Sequence, residues 1–132
     1  MDYGNDYIKM CEKADDIQKA WEAHCGDWLI LDHHRRLVLL TSPNPELRED
    51  PLRMISVAFP QTFGYPFTDL KWREECIWLP RQDQLQTLSR LSWKAFDIEC
   101  LKYDADTKEQ AGIQVVMASN FNKKWQNDEW IA

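Results

Sequence analysis

Apolar positions near the start of the chain recur at helical spacing. Intervals of three and four residues separate the members of this series, which are Tyr7, Met10, Ala14, Ile17 and Trp21. Because an α-helix turns once in about 3.6 residues, these intervals place all five side chains on one face. The pattern predicts an amphipathic helix that is broken by Gly26, with Asn5 or Asp6 as its N-cap.

Two short apolar runs follow, at residues 28–31 and 37–40, and five polar residues separate them. A connection of this length suits an antiparallel hairpin. A third run, at residues 76–79, predicts another strand, which Pro80 ends. Since the hairpin runs are apolar throughout, we expect both faces to be covered or to sit against an oligomer partner.

The second half of the chain predicts two more helices. Helical spacing of apolar residues indicates a helix, straight or kinked, over about residues 82–103, which Pro80 opens from its first turn. Thr107 and Gln110 have the spacing of a capping box, in which each side chain bonds a backbone amide of the other residue. In the helix that follows, Gly112 either weakens the helix locally or permits close packing.

The last residues predict a small two-stranded ribbon. A turn at Asn127-Asp128 would pair Gln126 with Glu129 and place Trp125 opposite Trp130.

Residues 42–74 have a different character, because five of the six prolines lie there. Proline removes a backbone donor and restricts the residue before it, so this segment predicts an ordered loop with one short strand, around residues 53–59. Together these patterns predict an α+β fold, a small antiparallel sheet with about three helices, in a single domain spanning residues 1–132 with a Pro-rich loop at about 42–74.

The composition of the chain argues against several classes of protein. The chain has 132 residues, a formal net charge of −6 and seven tryptophans, which need a core or a partner to cover their rings. The acidic balance argues against direct nucleic acid binding, since phosphate contacts require basic residues. No apolar run approaches the roughly 18 residues of a membrane helix, and the polar start is unlike a signal peptide. We therefore expect a cytoplasmic protein without membrane contact.

Motifs for catalysis and metal binding are missing from the sequence. There is no glycine-rich phosphate loop, and the four cysteines, which include no C-x-x-C pair, are expected to be reduced thiols. Asp32, His33 and His34 could form a metal corner, but adjacent strand residues point to opposite faces, and we interpret them as a solvated turn. We predict no catalytic residue, no metal and no cofactor.

Four stretches of sequence occur together in one order. They are YIKMCEKA at residues 7–14, GDW at 26–28, IWLPRQDQLQ at 77–86, and KW with EW at 124–125 and 129–130. This combination resembles a group of small uncharacterised proteins encoded by phages and prophages of Gram-positive bacteria. The resemblance implies a genomic setting and no particular reaction. Small acidic phage proteins are often binders of host factors, including inhibitors of bacterial immunity.

Two sets of residues are candidates for a partner-binding surface. The first is aromatic and lies in the Pro-rich loop, and the second is polar and lies at a predicted helix start: Phe63, Tyr65, Phe67 and Trp72, with Arg81, Gln82 and Gln84. Each set has a structural alternative, because the aromatic rings could cover the hairpin as a lid and the polar residues could simply begin a helix.

The sequence therefore favours a non-enzymatic phage-type protein that binds a host or phage protein, as an inhibitor of a bacterial defence system. One alternative is a binder of a small ligand such as a nucleotide signal, held by aromatic stacking and by Arg81. Another is a phage protein with a housekeeping role, and the pattern leaves a homo-oligomer open. An enzyme would require a deep pocket with converging reactive groups.

Overall fold

The computed structural model of the 132-residue chain describes residues 1–22, 26–31, 36–39 and 76–132. The described helices are α1 (Asn5–Lys13), α2 (Asp15–Ala20), α3 (Gln82–Ser89), α4 (Trp93–Cys100) and α5 (Lys108–Phe121). The described strands are β1 (Trp28–Leu31), β2 (Arg36–Leu39), β3 (Cys76–Leu79), β4 (Lys124–Gln126) and β5 (Glu129–Ile131). The α+β class is confirmed. By its internal contacts the chain divides into two compact units, one formed by Met1–Ala20 with Pro80–Ala132 and one by Trp21–Leu79.

The second unit contains a three-stranded antiparallel sheet in the order β2-β1-β3. The predicted hairpin is confirmed, with β2 beginning and ending one residue earlier than expected. The adjacent residues Leu29 and Ile30 point to opposite faces and are both buried, and all four residues of β3 are buried. Of the predicted hairpin, β1 is thus covered on both faces, whereas Leu37 in β2 is 37 % exposed; β3 is covered on both faces as well.

A pair of tryptophans packs within the same unit. Trp21 stacks on Trp78 with ring centroids 6.2 Å apart, and the Trp21 indole N–H donates a hydrogen bond of 2.9 Å to the buried carboxylate of Asp27. The bond gives a partner both to the indole N–H and to the buried carboxylate, beside the apolar stacking of the two rings.

The first predicted helix is broken in two at Ala14, where ψ reaches 68°. Its buried face is nevertheless the predicted one, because all five members of the three-and-four series are buried. The predicted caps are wrong: Gly4 is the N-cap of α1, so Asn5 and Asp6 already lie inside the helix.

The helix predicted over residues 82–103 is also divided. Arg90 ends α3 with a φ of 62°, in the left-handed region, and the Ser92 side chain caps α4 by accepting a hydrogen bond from the Ala95 amide. A serine that accepts from an amide three residues later favours a new helix start over a continuing helix. Pro80 precedes the N-cap of α3, Arg81, so it lies two residues before the first helical residue rather than in the first turn as predicted.

Helix α5 lies at the centre of the first unit, in contact with α1, α3 and α4. Thr107 caps it as predicted, by accepting from the Gln110 amide. The Gln110 side chain does not complete a capping box. It donates instead to the carboxylate of Asp2 at 3.0 Å, and the Thr107 hydroxyl donates to the same carboxylate at 2.6 Å.

The terminal ribbon has the predicted register, with Trp125 paired to Trp130 and their ring centroids 4.9 Å apart. Asn127 and Asp128 both have a positive φ, which fits the tight turn between two twisted strands. The ribbon is attached to α1, because the Trp130 indole N–H donates to the carbonyl of Met10 at 3.0 Å.

Candidate functional site

The aromatic candidates Phe63, Tyr65, Phe67 and Trp72 lie outside the residues that the structure describes, as does the predicted strand at 53–59. The turn of Asp32, His33 and His34 lies outside them as well. Their proposed roles therefore stay predictions.

The polar candidates lie at the first turn of α3, where two of them have local hydrogen-bond partners. The Arg81 guanidinium pairs with Asp83, with a distance of 3.0 Å from Nε to Oδ1, and the Gln84 side chain accepts from the Arg81 amide at 2.9 Å. Gln82 is the first residue of the helix and is half-buried. These contacts stabilise the helix start, and the binding role predicted for the three residues stays a prediction.

A different surface stands out in the described part of the chain. The three most exposed large apolar side chains there all belong to α4 and its C-terminal end: Trp93 at 48 %, Ile98 at 50 % and Leu101 at 85 % of full exposure. Ile98 and Leu101 are neighbours on the helix surface, since they are three residues apart. We call these three residues the α4 surface.

The α4 surface lies over a well-packed base. Phe96 and Cys100 are buried, and the Phe96 ring meets the Trp93 ring edge-on with centroids 6.1 Å apart, so Trp93 lies at the edge of the buried side while Ile98 and Leu101 face away from it. The exposed side of α4 thus combines Ile98 and Leu101 with the charged residues Lys94 and Asp97, and the helix is not a simple amphipathic one.

Trp93 is held in place from a second side. The Lys108 ammonium lies 5.8 Å from its ring centroid and forms an ion pair of 2.5 Å with Asp97. A cation above an indole face is attracted by the ring electrons. The indole is thus an exposed aromatic group that is oriented before any partner arrives, which lowers the entropy lost on binding.

A groove adjoins the α4 surface at Leu101. It has a volume of about 490 Å³ and lies between the end of α4 and the start of α5. Its apolar lining is formed by Cys100, Leu101, Tyr103, Ala105 and Ala111. Leu101 therefore joins the α4 surface to a groove that also has the polar residues Asp97, Asp106, Thr107 and Lys108 in its lining, and exposed apolar groups of this kind mark interaction sites on soluble proteins.

The thiols that the structure describes are poorly suited to nucleophilic chemistry. Cys11, Cys76 and Cys100 are buried cysteines. Burial raises the pKa of Cys11 far above its ordinary value of 9.0, and burial also raises the pKa of Cys100. Both are protonated at neutral pH, so neither supplies a thiolate. Among the described residues no group of three or more His, Cys, Asp or Glu side chains could hold a metal ion.

The α4 surface could have been predicted from large apolar residues that lie off the buried stripe, which the search for helical spacing did not consider. The buried stripe runs through Leu85, Phe96 and neighbouring positions, whereas Ile98 and Leu101 fall off it. Trp93 fits the buried stripe by its helical spacing from Phe96 and Cys100 but is half exposed. Large apolar residues off the buried face of a helix indicate a second covered face or a binding surface.

Comparisons with protein-family models, with curated proteins and with solved structures gave no match to this chain. Within the described ranges, no helix has the length and apolarity needed to cross a membrane.

Proposed function

We propose that this chain binds another protein, encoded by the phage or by its host, through the α4 surface. The observation that carries this proposal is the grouping of Trp93, Ile98 and Leu101, the most exposed large apolar side chains in the described residues, on one helix. Exposed apolar residues of this size destabilise an isolated surface and become favourable when a partner removes them from water.

The charges around the α4 surface support a protein partner. Lys102 pairs with Glu99 at 2.7 Å, and Lys108 pairs with Asp97, so charged pairs surround the apolar residues. Protein-binding surfaces commonly combine aromatic and aliphatic anchors with polar and charged neighbours.

In this proposal the protein is not an enzyme and acts in the cytoplasm of a Gram-positive host, as an inhibitor of a bacterial defence system. The resemblance to phage and prophage proteins supports the setting, and the protonated, buried thiols of Cys11 and Cys100 agree with a role in binding. The loop aromatics Phe63, Tyr65 and Phe67 stay a separate candidate for contact with the partner.

Affinity capture with matched variants tests the proposal. The tagged chain is incubated with a Gram-positive lysate, and the captured proteins are identified by mass spectrometry. The test variant combines Ile98→Ala with Leu101→Ala. The control is Ile131→Ala, which truncates an isoleucine that is 41 % exposed on the terminal ribbon. We expect one identified protein to be lost from the test variant and retained by the control.

Two outcomes would contradict the proposal. One is that every captured protein binds the double variant as it binds the original chain. The other is that light scattering shows a homodimer which the double variant abolishes, because the α4 surface would then join two copies. Replacing Phe63, Tyr65 and Phe67 with alanine tests the loop separately, and unchanged capture would remove it from the interface.

A further inference from the structure

A second groove, of about 540 Å³, lies in the first unit between α2, α3 and α5. Ile17 and Val116 form a buried apolar floor, and Leu88 and Phe121 are half-buried at its sides. Its volume falls within the range of roughly 300–1,000 Å³ that is usual for small-molecule sites. Its residues are separate from the α4 surface, so the groove does not depend on the proposed function.

Arg90 is the one charged residue among the described residues that line this groove. It forms no ion pair or hydrogen bond through its guanidinium with the described part of the chain, whereas the Arg81 guanidinium pairs with Asp83. A chain with a net charge of −6 therefore has a groove whose local charge is positive.

The other polar side chains of the groove already donate hydrogen bonds to the protein. The Asn120 amide donates to the Leu88 carbonyl at 2.8 Å, and the hydroxyls of Thr87 and Ser119 donate to helix carbonyls at 3.0 and 2.8 Å. The Arg90 guanidinium, which has five N–H donors, is thus the principal group left for a ligand.

The backbone at Arg90 is a second independent feature. Its φ of 62° is a conformation that glycine adopts most easily at a helix end. An arginine at this place costs the fold stability, and the residue lines the groove.

We propose that this groove binds a small organic anion, a molecule with an apolar body and a carboxylate, sulfonate or phosphate group. The apolar body would contact Leu88 and Phe121, the lining apolar side chains that are only half-buried, and the anionic group would accept hydrogen bonds from Arg90. A planar guanidinium binds such groups through two parallel N–H donors, which a single ammonium group does not offer.

Two naphthalene dyes test this proposal. The anionic probe is 8-anilinonaphthalene-1-sulfonate, and the neutral probe is N-phenyl-1-naphthylamine. We expect Arg90→Gln to weaken binding of the anionic dye about tenfold, as loss of a charged hydrogen bond does, and to leave binding of the neutral dye unchanged. Arg90→Gly should weaken binding of the anionic dye by the same factor. Because glycine is well suited to the left-handed backbone, this loss could not be attributed to damage to the fold.

Controls locate the dye. Lys94→Gln removes an exposed lysine that has no ion pair within the described residues, and Leu101→Ala alters the α4 surface; neither should change binding of the anionic dye. Methyl NMR should show shifts at Ala20 and Leu88, which line the groove, and none at Ile98. The proposal is overturned if the anionic dye does not bind, if Arg90→Gln binds it with unchanged affinity, or if the shifts fall on Ile98.

Discussion

The backbone of Gly112 in α5 lies so close to the ring of Phe96 in α4 that a Cβ atom added there would stand 2.9 Å from Cζ of that ring. The same atom would lie 3.1 Å from Cδ1 of Leu85 in α3. Both neighbours are fully buried. Of the two roles predicted for this glycine, close packing is therefore the one that the structure shows.

We expect Gly112→Ala to destabilise the protein by about 1 kcal/mol or more, even though alanine favours a helix by a similar amount. Adding a methyl group to a well-packed core lowers the free energy of unfolding by about 1–3 kcal/mol. Urea unfolding measures the change. Phe96→Leu provides the matched test, because the smaller side chain makes room for the added methyl group. The loss of stability in the double variant should therefore be smaller than the sum of the losses in the two single variants. Additive changes would argue against this contact.

The carboxylate of Asp2 links the start of the chain to α5. It accepts hydrogen bonds from the Thr107 hydroxyl, the Gln110 side chain and the Gly4 amide. We expect Asp2→Ala to lower the free energy of unfolding by about 1–3 kcal/mol, because the donors around it lose their acceptor. Asp104→Ala, at an exposed position without an ion pair in the described residues, is the control and should change stability little. Equal effects of the two changes would contradict the role of Asp2.

Arg90 should be a position where glycine raises stability. A left-handed conformation costs an ordinary residue about 1–2 kcal/mol, which glycine avoids. Part of this gain in stability is cancelled because glycine makes the unfolded chain more flexible. We expect Arg90→Gly to stabilise the protein by about 0.5–1 kcal/mol in thermal or urea unfolding. Asn122→Gly, at a φ of 55°, should gain less, because asparagine tolerates this region. Destabilisation by Arg90→Gly would show that the arginine supports the fold.

Stability should fall in alkaline solution. Burial raises the pKa of Cys11 and of Tyr7, so both stay protonated in the folded state while the unfolded chain ionises them from about their ordinary values of 9.0 and 10.0. Above pH 9 the unfolded state thus binds fewer protons, and the free energy of unfolding falls by up to about 1.4 kcal/mol per pH unit for each group. Below pH 9 both groups are protonated in the folded and the unfolded state, and the free energy of unfolding has its full value.

Urea unfolding at pH 7, 8, 9 and 10 measures this decline. Cys11→Ala should make it shallower between pH 9 and 10, whatever that variant does to stability at pH 7. A decline of the same slope in Cys11→Ala would mean that other groups cause it.

Local patterns in the sequence predicted much of the fold. Helical spacing identified the buried face of α1 and α2, and the Asn127-Asp128 pair predicted the register of the terminal ribbon, because each depends on residues close together in the chain. The sequence did not predict the break at Arg90, since arginine is not a usual residue for a left-handed helix end. Nor could it show that Gln110 donates to Asp2, which lies 108 residues away.

The candidate site was harder to predict, because exposure depends on tertiary packing. Trp93 fits a buried stripe by its spacing, yet the division of the helix at residues 90–92 leaves it half exposed. Of the predicted binding residues, Arg81 and Gln84 support the start of α3. The loop aromatics lie outside the described residues.

Site-specific photocrosslinking tests the central claim most directly. A benzoylphenylalanine is placed at position 98 on the α4 surface or, as the control, at position 131 on the terminal ribbon, and each chain is irradiated in Gram-positive cells. We predict a discrete adduct with one other protein from position 98 and its absence from position 131. The claim is contradicted if position 98 gives no adduct, an adduct with a second copy of the chain, or the same products as position 131.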